Sequence, residues 1–570
     1  MGLGFARMAM LALGCVSSTS YAQRIDPAAT IGDVGFVSVL SDGERRAAGD
    51  AFAAIDRQDW ISVESLVAAM PEGPLKGHVL AEYYTHANSP RIELPAIEAW
   101  LSRYSYLPQA EQLVRLGQRR GLVGSIDLPR TNSFTRQRAI TKRMRPRSSG
   151  DATMPPDVAE AINTSIRDDD PDGARVLLAG MDASLSREAR AEWRTKVAWS
   201  YYIENRDTAA LTMAQRVSDD GTGPWVAEGE FTRGLAAWRL GDCAEAERGF
   251  AAATQGTTDR ELRSAASYWA GRAATKCREP ERAMSHWQAA STDDETLYGM
   301  LAQKQLGLPL PERFTQSALD RDDWRAIDNN PNARLAVALV ELGRRDEADE
   351  ALRHLVRTGE VRHFSSYVRL AQHLGLARTQ IWMGHNVPRG ADPDPALRFP
   401  KINDRPAEGW RVDPALAFAH ALQESDFRDG AVSPANAIGL MQVRPIAARD
   451  VNDRTPLDAR YADLKEPAVN LSFGQANLAK LGSSTTTRGQ LPKVMAAYNA
   501  GISPVARWNQ EIRDGGDPLL WMESIPYWET RSYVAIVMRN YWIYQRQQNA
   551  PQPSRTALAQ NDWPMFPDLR

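Results

Sequence analysis

The chain has 570 residues, a length that at roughly 100–200 residues per domain predicts several packing units and excludes a small stapled scaffold. Its 68 Lys and Arg stand against 71 Asp and Glu, a formal charge of −3 with both signs interspersed. A general affinity for nucleic-acid phosphates is thereby excluded, and an uncharged or zwitterionic substrate stays open. With 43% apolar residues, 39 Gly and 34 Pro, the chain is neither intrinsically disordered nor collagen-like.

Residues 1–22 read as a secretory signal: Arg7, a short apolar run from Met8 to about Val16, then the small-x-small site Ser20-Tyr21-Ala22, with cleavage expected after Ala22. The run is about half the ~20 apolar residues that a membrane span needs, and Ala12-Leu13-Gly14 before Cys15 is a poor lipoprotein site. The mature protein is therefore expected to be soluble and outside the cytoplasm, with Cys243 and Cys277 as its remaining cysteines. An even pair in an exported chain suggests one disulfide; two buried free thiols would satisfy the same count. Neither Cys has a His or a second Cys at metal spacing, so neither a metal nor a cofactor is expected.

From about 41 to 355 the pattern is helical, in short apolar-periodic segments broken by Gly, Asp or Pro. Two stretches, 234–253 and 271–290, superimpose at a period of 37, matching Gly234 with Gly271, Ala237 with Ala274, Ala246 with Ala283 and Phe250 with Trp287. A third, 339–356, repeats the Leu-Gly turn. Small residues where helices cross, with a large one to cover them, describe paired helices stacked into a solenoid. The segment around 51–70 reads as a degenerate member. The basic break at 141–156 reads as a solvated surface loop. The expected organisation is mainly α: a solenoid domain over 23–317, a helical linker domain over 318–395, a different kind of domain over 396–549, and a C-terminal tail over 550–570.

Chemistry is expected in the 396–549 unit. Asp413-Pro414 opens a helix, with Asp as N-cap and Pro at the first helical position. At about 100° per residue, Glu424 shares a face with Leu416, Ala417 and His420. Apolar surroundings and the negative end of the helix dipole both push its pKa upward, which suits a general acid. Asp426, about 200° round a continuing helix, faces away from it. His420 reads as a packed or hydrogen-bonded residue.

Downstream come Ser433-Pro434-Ala435-Asn436-Ala437-Ile438-Gly439-Leu440-Met441-Gln442, then Ala497-Tyr498-Asn499-Ala500-Gly501, then Ser524-Ile525-Pro526-Tyr527-Trp528-Glu529-Thr530-Arg531-Ser532-Tyr533. With Glu424-Ser425 these four motifs resemble, in order and spacing, the catalytic domain of the soluble lytic murein transglycosylases. Arg398-Phe399-Pro400 and the Tyr298-Gly299 segment resemble the larger periplasmic members, which carry a helical superhelix before a linker and a lysozyme-like α+β catalytic domain. The resemblance implies a peptidoglycan lyase of the periplasm that cleaves the β-1,4 bond between N-acetylmuramic acid and N-acetylglucosamine and leaves 1,6-anhydromuramoyl products.

By the same resemblance Glu424 is the single catalytic acid and base. Two-carboxylate glycosidases need a partner roughly 5–9.5 Å away. Ser433, Gly439, Met441, Gln442, Tyr498, Asn499 and Glu529 are implied to bind substrate or shape its groove, although Met at helical spacing usually packs in the core and Glu529 could serve a purely structural bond. Gly501 should end its helix. Asn436 stands where the family has Gly, and Asn is the residue that best tolerates positive φ. Arg444 replaces an apolar groove residue. The 16 Trp and 16 Tyr fit sugar stacking and solenoid cores equally. The implied partner is the peptidoglycan glycan strand, with the repeat surface a candidate dock for a cell-wall synthase and the protein itself a monomer. A lysozyme-like hydrolase and a non-catalytic glycan-binding scaffold are the competing readings.

Overall fold

The computed structural model describes residues 37–567 apart from 316 and 461. The leader expected over 1–22 lies outside the described residues, and no described helix is long and apolar enough to cross a membrane. The expected mainly helical class is borne out. Among the described residues the strands are Phe134–Arg136 and Asn386–Pro388, paired antiparallel.

The helices from Arg187–Ile203 to Leu297–Gln305 pack each against the next, as the repeats require. A Cβ on Gly234 would come within 2.5 Å of the Phe250 ring, and one on Gly271 within 2.4 Å of the Trp287 indole. The matched Gly and aromatic positions are thus one contact made twice: a ring laid on a bare helix backbone. Cys243, opening one helix, is joined to Cys277, closing the next, with Cα atoms 5.6 Å apart.

Packing divides the chain differently from the expected 23–317 and 318–395 units. Apolar residues of 37–113 share one core with those of 319–397, while the solenoid over 162–314 shares another with the 399–558 region. His78 Nε2 lies 2.9 Å from Glu347, and Arg344 reaches Glu82 at 2.8 Å, so the chain returns to its own beginning before entering the last domain. The periodic pattern is the same in both groups of helices, which is why sequence alone assigned 41–119 to the solenoid.

The basic segment at 141–156 is a surface segment with mostly exposed side chains, as expected, but it is anchored at particular residues. Arg143 is buried between Glu228 and Glu523, Thr141 bonds to Glu261, and the Arg147 carbonyl accepts the Trp225 indole N–H. Arg143 neutralises carboxylates of the solenoid and the last domain, while Lys142, Arg145 and Arg147 are exposed. The described part of the expected C-terminal tail, 550–567, is packed. Pro553–Ala559 is a helix, Trp563 lies 5.9 Å from Trp521, and Phe566 covers Gly482 while its N–H bonds to the Gly489 carbonyl. Apolar residues at the chain end find the bare surface they need.

The last domain is built on the Pro414–Ser425 helix, which packs against the long Trp528–Gln547 helix. Among the described residues its expected β component is reduced to isolated bridges, linking Val432, Ile438 and Val443 and joining Gln490 to Met565. The domain docks on the solenoid through buried charge: Arg539 binds Glu261 at 2.9 Å, and Tyr298 donates to Glu523 at 2.6 Å. Arg398 binds Glu295 at 2.6 Å.

Candidate active site

Asp413 accepts from the Ala415 N–H and Pro414 occupies the first turn, so the helix starts where its capping residues say. It ends earlier than a continuing helix would: Asp426 is left-handed, with φ of 51°. The acid at its last turn, Glu424, is half-buried, and its Oε1 accepts a 2.6 Å hydrogen bond from the Tyr533 hydroxyl. Burial pushes the Glu424 carboxyl up to about 7; the Tyr533 bond opposes that rise and the Glu529 charge adds to it.

Tyr533 is itself 2.7 Å from Nδ1 of His420, which is fully buried. Burial lowers the imidazole to about 3, so it is neutral. The ring of Tyr498 lies 4.6 Å from the His420 ring, and its hydroxyl donates to the Met441 carbonyl at 2.8 Å. Burial and the neighbouring Glu424 carboxylate hold both phenols well above their ordinary pKa.

The Gly-Leu-Met-Gln loop is stapled in place through its backbone. Ser425 donates to the Leu440 carbonyl at 2.7 Å. Asn470 accepts from the Met441 N–H at 2.8 Å and donates to the Ile438 and Leu464 carbonyls. Gly439 has φ of 76°, and a Cβ there would come within 2.4 Å of Asn470 Nδ2. The close approach that demands glycine is therefore to Asn470 and to the Leu464 carbonyl, also 2.4 Å away. Asn436 has φ of 57°, the conformation its residue type tolerates.

The remaining motif residues fall in three places. Met441 is fully buried and packs on Gly474, so its side chain faces the core and not the groove; a thioether fills the gap that a glycine leaves. Ser433 accepts from the Ala437 N–H, and Gln442 donates to the Ala431 and Gly439 carbonyls, all within the loop. Asn499 accepts from Thr530 at 2.7 Å, Gly501 closes its helix at φ of 89°, and Glu529 and Arg444 are exposed.

Tyr533, Ser425 and Asn470 had no assigned role in the sequence reading. For Tyr533 a signal exists: it follows Glu529 by four residues in one helix, so the two share a face, and both act on Glu424. Asn470 carries none, because its partners are backbone groups of a loop 29 residues or more away in some of its bonds. One grouping among the described residues brings His and carboxylates close enough to share an ion, namely His78, Glu82 and Glu347. It lies in the N-terminal core, where the Arg344 guanidinium already binds both carboxylates.

Fold and site together define a helical solenoid protein that carries, at the end of a helix in its last domain, one half-buried carboxyl held by a phenol. The profile of the Transglycosylase SLT domain matches residues 402–518. A Klebsiella pneumoniae endo-type membrane-bound lytic murein transglycosylase A is 33% identical over 143 residues, 24% of this chain and 70% of that protein. The Escherichia coli K12 soluble lytic murein transglycosylase is 31% identical over 172 residues, 29% of this chain and 26% of that protein. A Haemophilus influenzae relative is 29% identical over 282 residues. The matches span 44% and 26% of the lengths of the Haemophilus and Escherichia relatives.

Among solved structures, the 70-kDa soluble lytic transglycosylase in complex with bulgecin A has the same fold, with a TM-score of 0.61 at 17% identity, over 93% of this chain and 100% of that one. The Escherichia coli 70-kDa soluble lytic transglycosylase gives 0.54 at 16% identity over the same shares. The chain belongs to the lytic murein transglycosylase family.

Proposed function

We propose that the protein is a periplasmic lytic transglycosylase that cleaves the β-1,4 bond between N-acetylmuramic acid and N-acetylglucosamine of peptidoglycan, leaving 1,6-anhydromuramoyl ends. The observation that carries this reading is the state of Glu424: a carboxyl pushed up to about 7, with Oε1 taken by Tyr533. Near neutral pH a large fraction of such a group keeps its proton and can give it to the glycosidic oxygen as the C1–O bond breaks. The carboxylate so formed takes the proton of the muramoyl 6-hydroxyl while that oxygen bonds to C1. One C–O bond is lost and one made, Glu424 regains its proton, and no water is consumed.

The names of the relatives, all lytic murein transglycosylases, support this substrate class. The joined Cys243 and Cys277 fit an oxidising compartment such as the periplasm. Ser433, Gln442, Asn499 and Glu529 are the candidate sugar contacts, Gly439 shapes the loop that carries them, and Tyr498 orders that loop.

The exposed Glu529, close enough to raise Glu424, favours one second reading, in which it directs a water and the enzyme is a lysozyme-like hydrolase. Digestion of purified sacculi in heavy-oxygen water, followed by mass spectrometry, separates the two. Anhydromuramoyl ends without label are expected. Reducing ends carrying the label would establish hydrolysis, and intact sacculi would leave a glycan-binding scaffold.

A further inference from the structure

We propose that His420 is a positioning residue of this site: it donates from Nδ1 to the Tyr533 hydroxyl and thereby directs that hydroxyl's single proton onto Glu424. The Tyr533 oxygen stands 2.7 Å from His420 Nδ1 and 2.6 Å from Glu424 Oε1. A hydroxyl has one proton for these two neighbours. Giving it to the imidazole would leave oxygen lone pairs facing a carboxylate where both His420 and Tyr533 are buried, so the proton goes to Glu424 and Nδ1 is the donor.

The far side of the ring selects the same tautomer. His420 Nε2 is buried and has no protein partner. A bare acceptor is tolerated there far better than an orphaned N–H. The three groups then form one directed chain, Nδ1–H to Oη, O–H to Oε1. Because Oε1 is always the acceptor, the acidic proton of Glu424 resides on its other oxygen. Consecutive hydrogen bonds polarise one another, so removing the first donor weakens the bond that supports the charged form of Glu424.

Other groups around the acid are few. The Trp528–Gln547 helix presents Tyr533 and Glu529, and the helix over Leu491–Ala500 presents Tyr498. The buried residues of the Pro467–Gly482 helix are uncharged. In the following loop Arg428 bonds to the Ser425 carbonyl and Arg444 is exposed.

This inference rests on Glu424 being the acid, so its test reads the resting protein first. The Glu424 carboxyl carbon, identified by its loss in E424Q, is titrated by NMR in the wild type, H420L, H420N and Y533F. In H420L the midpoint is expected to rise by about half to one pH unit. Asparagine places an N–H near the position of Nδ1, so H420N should return the midpoint to the wild-type value. In Y533F, adding H420L should produce no further shift. The imidazole nitrogen signals should report the neutral Nδ1–H tautomer throughout pH 5–9, roughly. On sacculi, H420L should move the alkaline limb of kcat/KM upward with the carboxyl midpoint, while KM changes little. A wild-type midpoint in H420L, an equal shift in the Y533F background, or an Nε2–H tautomer would overturn the assignment whatever reaction the enzyme performs. If H420L does not fold, H420N and the tautomer still decide.

Discussion

Glu424 carries opposite obligations to stability and to chemistry. Its carboxyl is raised from an ordinary 4.5 to about 7 because burial penalises the charge. Below about pH 4.5 it is protonated in both folded and unfolded chains and has no differential effect. Between 4.5 and 7 the unfolded chain ionises first, so folded stability falls as pH rises, and above 7 the loss is constant. E424Q should therefore be more stable than the wild type by on the order of 2 kcal/mol at pH 8 and equal to it at pH 4, measured by denaturant unfolding at both pH values. Cleavage by the same variant should fall by about 10²- to 10⁴-fold. In the wild type kcat/KM should decline with an apparent pKa near 7, because in the proposed mechanism the acid form acts. Glu424 and Tyr498 were legible because motif spacing names them. For Met441 the motif implied the groove and the residue type favoured the core; the structure buries it on Gly474, 33 residues on, a partner that local pattern does not show.

At the scale of the element, the repeats hold together through two ring-on-glycine contacts. Gly271→Val would force branched carbons into the Trp287 indole, where even a Cβ has 2.4 Å. Overpacking of this kind costs about 1–3 kcal/mol. The expected outcome is a lowered Tm with specific activity per folded molecule unchanged, since Glu424 lies on a different helix. The Cys243–Cys277 bond closes a segment of separation 34, for which loop entropy sets a contribution of about 3–4 kcal/mol. Cys243→Ser with Cys277→Ser should show a lower Tm, approached by the wild type under reductant. The period of 37 and the Gly-to-aromatic match were readable because each repeat buries its face on its neighbour, a local event. The left-handed Asp426 was not, because the turn that stops the helix is specified by the loop that follows.

Across the whole molecule, buried ion pairs fix the last domain on the solenoid. Arg539 is 1% exposed and Glu261 is buried; burial lowers the guanidinium and raises the carboxyl, and each holds the other charged. Arg539→Met leaves Glu261 uncompensated, a change that costs about 3–5 kcal/mol, whereas replacing both partners by neutral residues costs much less. Equilibrium unfolding should find the single variant strongly destabilised and the Arg539→Met, Glu261→Gln pair partly restored. Arg143 belongs to the same system. It read as part of a solvated run because a sequence displays Arg143 and withholds Glu228 and Glu523.

The sequence by itself determined the helical class, the repeat, the start of the Pro414–Ser425 helix and the carboxyl near its end. These depend on residues within a turn or a repeat of one another, or on a motif whose order survives in one dimension. Tertiary structure alone decided that 37–113 shares a core with 319–397, that the basic segment is anchored through Arg143, that the C-terminal residues are packed, and that His420, Tyr533 and Glu424 form one chain of hydrogen bonds. Burial and proton direction are sums over groups brought together from more than a hundred residues apart, and no local pattern carries that sum.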